Sequence, residues 1–84
     1  MDIKNAVITA FKTVSEEQGI DMEINMDTPL TRDNGIDSLG FVNLIVEIED
    51  NLDITLDNVI SKIRKCLRVK DIVNVIEDYQ ETNL

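Results

Sequence analysis

The sequence predicts an all-α fold: a four-helix bundle with three longer helices, one short helix, and a long loop between helices 1 and 2. Three observations predict it. Apolar residues recur three and four apart in three separate segments, no segment alternates apolar and polar residues as a half-buried strand does, and the strongest turn signals gather in one connection.

The first helix is expected over about residues 3–17, where Ile3, Val7, Ala10, Phe11 and Val14 share one face. Gly19 follows as a residue free to adopt the left-handed conformation that closes a helix. The connection 18–37 holds the only Pro, in Asp27-Thr28-Pro29, and the Asn34-Gly35 pair. Connections beyond about 12–15 residues are uncommon and often functional. Ile20, Met22, Ile24, Met26 and Leu30 make this one too apolar for a solvated linker, so it should pack across the bundle. The second helix is expected over 38–52 with a stripe of Phe41, Leu44, Ile45, Ile48 and Leu52. A weaker, short helix is expected within 57–66 around Val59, Ile60 and Ile63, and a last one over 70–81 with Val69, Ile72, Val73, Ile76 and Tyr79 on one side. Leu44, Ile48, Leu52, Ile60, Ile63, Val73 and Ile76 are the expected core.

Composition narrows the function. Eighty-four residues support a single domain, 1–84, and a core too small for a deep substrate cavity. No run of about 18 apolar residues is present and Met1-Asp2-Ile3-Lys4-Asn5 is not a leader, so a cytoplasmic chain without stable membrane insertion is expected. A net charge of -9 opposes nucleic acid and anionic lipid and favours cationic partners. With one Cys and no His there is no disulfide framework, no Cys/His zinc site and no imidazole to activate a nucleophile; no metal site and no enzyme are expected. No stretch matches a calcium loop. Charge is also unevenly spread: residues 37–60 hold six acids and no base, whereas 61–70 hold five bases and no acid.

Gly35-Ile36-Asp37-Ser38-Leu39 lies where the long loop becomes helix, so an anion on Ser38 would meet unpaired amides and the positive end of the helix dipole. Asp37 or Ser38 also reads simply as an N-cap, although Gly40 and Phe41 stand where a capping box would need Glu or Gln. These five residues, followed by Val42, Leu44, Ile45, Val46, Glu49, Asp50, Leu52, Asp53 and Ile54, resemble the acyl carrier protein pattern of G-x-D-S-L opening an acidic helix. The likeness extends over the whole chain in the order and length of its helices.

The resemblance implies an acyl-carrier-like bundle in which Ser38 carries a covalent 4'-phosphopantetheine arm donated by coenzyme A, whose thiol holds acyl groups as thioesters. Asp37 would assist loading by a phosphopantetheinyl transferase, Gly35 would supply the tight turn, and Leu39 would adjoin the attachment point. Leu39, Val42 and Val46 form a second apolar stripe flanked by Glu47, Glu49, Asp50 and Asp53. That stripe reads either as a helix buried on two sides or as a docking strip for acyl-transfer, condensing or ligase enzymes with basic patches. A monomer visiting such enzymes in fatty acid, polyketide or related biosynthesis is expected. The open alternatives are a non-modified acidic helical interaction module and a carrier of amino acids.

Some positions depart from the resembled pattern. Gly40 and Asn43 replace acids, Phe41 is bulkier than the usual small polar residue, and Ser61 to Lys70 is unusually basic. Gly40 is expected to cost the helix about 1 kcal/mol relative to Ala, or to let a partner approach. Phe41 is a candidate for narrowing the way into the interior between the second and third helices. The basic segment reads as solvated charge or as a contact for an acidic partner. Cys66 reads as a small apolar residue, or as a thiol whose pKa falls if its cationic sequence neighbours are also close in space.

Overall fold

Each helix boundary has a local chemical cause. The computed structural model describes residues 2–82; Met1, Asn83 and Leu84, at the ends of the expected 1–84 unit, lie outside the described residues. Helix α1 spans Ile3–Glu17 and begins at Asp2, whose Oδ1 accepts the Asn5 N–H at 2.7 Å. It ends in a Schellman turn. Gly19, at φ 77°, places its N–H on the Glu16 carbonyl and the Ile20 N–H on that of Ser15, so two end carbonyls are satisfied.

Helix α2 spans Ser38–Leu52 with Asp37 as its N-cap; it closes at Asp53, which takes the left-handed conformation at φ 53°. A 3-10 turn, Asp57–Val59, leads into the one-turn helix α3, Ile60–Ile63, and α4 follows over Val69–Thr82. Asp71 supports the start of α4 by accepting the N–H groups of Leu67 and Arg68, each at 3.0 Å. The four expected helices are therefore present, the short one being shorter than its 57–66 window because six of those ten residues are 3-10 turn and connection.

Helices α1, α2 and α4 enclose a core of Val7, Phe11, Val14, Leu44, Ile48, Ile72 and Ile76, to which Leu56, Val59 and Ile63 contribute from beyond α2. Leu52 and Ile60, expected inside, are only half-buried at its edge. Asn51 Nδ2 also donates to the Ala6 carbonyl at 3.1 Å, pinning α2 to α1.

The long loop packs as its apolar content requires. Ile24 is buried, and Met22, Met26 and Leu30 lie against the core. Its far side is clipped to the stretch before α4. Leu30 N–H donates to the Leu67 carbonyl at 2.9 Å and Val69 N–H to that of Thr28 at 3.0 Å, the two bonds framing an antiparallel bridge between Pro29 and Arg68. That bridge is the sole β-pairing among the described residues.

Candidate functional site

The geometry at residue 38 is set by the turn before it. Arg32–Asn34 forms a short 3-10 turn that ends at Gly35, which is buried and left-handed at φ 94°. A side chain there would be strained, which accounts for glycine. The turn is anchored on α1: the buried Ser15 Oγ donates to the Asn34 carbonyl at 2.7 Å and Gln18 Nε2 to the Gly35 carbonyl at 2.6 Å. Asn34 Nδ2 in turn donates to the Pro29 carbonyl at 2.9 Å.

Asp37 is the cap of α2. Its Oδ1 accepts the Gly40 N–H at 2.8 Å, while its own carbonyl accepts the Phe41 N–H at 2.8 Å. Ser38 is the first helical residue and is exposed, and its hydroxyl makes no hydrogen bond within the described residues. The two residues thus divide the work that was ambiguous in sequence. Asp37 holds the backbone, and Ser38 presents a hydroxyl to solvent at the positive end of a 15-residue helix.

Gly40 is a correction. Instead of admitting a partner it is buried beneath the chain's own loop, and a methyl group on it would overlap the Gly35 carbonyl oxygen. The same close approach is what Gln18 clamps from the other side.

Ser38 and Asp37 line a cleft of about 400 Å³ whose walls also include Arg32, Phe41, Ile63 and Arg64. Arg64 lies over the Phe41 ring, 5.1 Å from its centroid, a distance within cation–π range. Phe41 also borders a second cleft, of about 220 Å³, between α2 and α3 with Ile45, Val46 and Ile60. It therefore stands on the wall between the two.

The outer face of α2 is apolar in the open. Leu39 is 69% exposed, Val42 51% and Val46 47%, so burial on two sides is excluded. Asp50 and Asp53 are exposed beside it and Glu47 is half-exposed. Glu49 differs from them: its Oε2 accepts the Leu56 N–H at 2.8 Å, which ties that carboxylate to the loop after α2.

The basic segment is only partly solvated charge. Beside the Arg64 stack, Arg68 Nη1 donates to the Asp27 carbonyl at 3.2 Å and Lys70 pairs with Asp27 at 3.4 Å. Cys66 is not activated by these cations. Burial first, and then the nearby Asp71 carboxylate, push its thiol up to about 11. Arg32, which lines the cleft, and Gln18, which holds the Gly35 carbonyl, are neighbours of the site that sequence reasoning did not single out. Neither belongs to an apolar period, and only the folded turn brings them to the head of α2. Among the described residues, no group of acidic or sulfur side chains could hold a metal ion, and no helix is long and apolar enough to cross a membrane.

Comparison with known proteins shows the family. Residues 5–74 match the family model described as "Phosphopantetheine attachment site". The acyl carrier protein of Campylobacter lari is 31% identical over 71 residues, covering 83% of this chain and 90% of that protein. That of Rickettsia bellii is 31% identical over 80 residues, covering 93% and 90% respectively. That of Clostridium acetobutylicum is 35% identical over 69 residues, covering 81% and 87%. No solved structure matches the chain. With this all-helical fold and a family match across most of its length, the chain belongs to the acyl carrier proteins, non-enzymatic carriers built around a phosphopantetheine attachment site.

Proposed function

We propose that Ser38 is the residue that carries the 4'-phosphopantetheine arm, and that the chain shuttles acyl groups among acyl-transfer, condensing or ligase enzymes of fatty acid, polyketide or related biosynthesis. The observation that carries this reading is the exposed Ser38 hydroxyl at the first position of α2. The residues present fit the group. The Ser38 and Leu39 amides belong to the first turn, whose N–H groups have no intrahelical acceptor, and two guanidinium side chains line the adjoining cleft. When bound, the arm supplies a terminal thiol that holds the acyl group as a thioester.

The chain's own residues orient and advertise the site. Asp37 holds the helix start through the Gly40 N–H and stands at the loading position, where a transferase bringing coenzyme A and a metal ion would meet its carboxylate. Gly35 keeps the preceding turn tight. Leu39, Val42 and Val46 form the apolar strip on which a partner rests, and Glu47, Asp50 and Asp53 form the acidic rim that attracts its Lys and Arg. Glu49 contributes its charge to that rim while serving the fold. Such contacts should be small and short-lived, as a carrier must leave each enzyme it visits. The setting that suits this traffic is the cytoplasm, with the chain acting as a monomer.

The test is incubation with coenzyme A and a permissive phosphopantetheinyl transferase, followed by intact-mass measurement. The native chain is expected to gain one arm and Ser38→Ala none; a native chain that stays unmodified, or a Ser38→Ala variant that gains the same mass, refutes the assignment.

A further inference from the structure

We propose that the cleft beside Ser38 is a seat for the root of the arm itself, with the Arg32 and Arg64 guanidinium groups flanking the phosphodiester and Leu30, Ile36 and Phe41 receiving the branched pantoyl carbons. The inference rests on Ser38 being the attachment residue, and it concerns what this chain does with the arm between deliveries.

Charge points to it first. A chain of net charge -9 should repel a phosphodiester, and the segment that starts at Asp37 is its most acidic. Yet the residues lining this cleft carry two cations, Arg32 and Arg64, against one anion, Asp37. The Asp37 carboxylate is partly satisfied by the Gly40 N–H, which leaves the cleft locally receptive to an added negative charge. Guanidinium groups suit that charge because their planar donors match phosphate oxygens and they are weakly hydrated.

The fold holds the Arg64 charge directly and places Arg32 through its backbone. Arg64 is drawn over the Phe41 ring at 5.1 Å, so its charge is kept on the cleft wall. Arg32 belongs to the 3-10 turn that Ser15 and Gln18 fasten to α1. The remaining lining is mainly apolar, matching the saturated branched carbons that follow the phosphate in a pantetheine arm. A volume of about 400 Å³ lies within the range of about 300–1,000 Å³ typical of small-molecule sites. Phe41 and Arg64 then serve one purpose: the ring positions the cation and forms part of the cleft wall.

The full-length chain, isotopically labelled and loaded from coenzyme A, tests this once intact mass has shown complete loading. Nuclear Overhauser contacts are expected between the pantoyl methyl protons and the Phe41 ring, together with movement of the Arg32 and Arg64 Nε–H signals on loading. The pantoyl–Phe41 contacts should be lost in the loaded fraction of an Arg32→Gln/Arg64→Gln double variant, which keeps polar side chains but removes the charges. A fully loaded native chain without those contacts overturns the seat, as do contacts that persist in the folded double variant. A native chain that takes up no arm overturns the Ser38 assignment as well, and the mass measurement distinguishes that failure from the first.

Discussion

At the scale of single residues, the head of α2 is built from glycines that act for opposite reasons. Gly35 is needed for its left-handed backbone at φ 94°, whereas Gly40 has ordinary helical geometry and is needed for its missing side chain. Intrinsic helix propensity alone makes Gly40→Ala stabilising by about 1 kcal/mol. The methyl group, however, must displace the Gly35 carbonyl, and forced repacking of this kind costs about 1–3 kcal/mol. Gly40→Ala is therefore expected to lower stability by up to about 2 kcal/mol in urea unfolding, with a raised midpoint showing that the turn yields freely. Cys66 follows the same logic of surroundings over sequence. Five cations lie within four residues of it in the chain, yet burial and Asp71 decide its thiol, which stays protonated until about pH 11. With the folded value above the ordinary 9.0, whatever this group contributes to stability is present below pH 9 and is lost as pH rises through about 11.

At the scale of the element, α2 has two apolar faces with different fates. Leu44, Ile45 and Ile48 are buried, and Leu39, Val42 and Val46 are exposed on the acidic side. Spacing alone separates the two stripes, but exposure had to be seen, since a small bundle can also cover a wide apolar arc. The acids of α2 divide in a way that spacing does not reveal. Glu49 bonds the Leu56 N–H at 2.8 Å and so fixes the path from α2 into the 3-10 turn, while Asp50 points to solvent. Glu49→Ala is expected to cost about 1–2 kcal/mol, because it leaves a half-buried amide without its charged acceptor. Asp50→Ala should stay within about 0.5 kcal/mol of native stability and instead weaken binding to the loading transferase. Denaturation midpoints and titration calorimetry on the two variants check this; equal stability loss in both would remove the distinction.

At the scale of the whole molecule, charge has opposite consequences for folding and for docking. The molecule measures 38 × 24 × 20 Å and carries a net charge of -9, with Lys70 and Asp27 forming an ion pair at its surface. The screening length is about 30 Å at 0.01 M salt and about 8 Å at 0.15 M. At the lower concentration nearly all of the acids repel one another, and at the higher one mainly neighbours do. The melting temperature is thus expected to rise between these concentrations, whereas affinity for a transferase with a basic face is expected to fall. Thermal melts and binding titrations over one salt series test the pair of slopes; a melting temperature that drops with salt would show that attractive pairs dominate the fold.

The helices and their order, the packed loop, the Schellman glycine and the serine at the head of α2 were all legible in the chain, because periodicity, turn chemistry and capping are local properties read over a few neighbouring residues. The relation of Gly40 to Gly35, the commitment of Glu49 to Leu56, the raised thiol of Cys66 and the meeting of Arg32 and Arg64 around one cleft were decided only by tertiary structure. Each of these joins residues from separate elements or turns on burial. Coulombic attraction, desolvation and steric overlap depend on distance through space, which one-dimensional spacing does not encode.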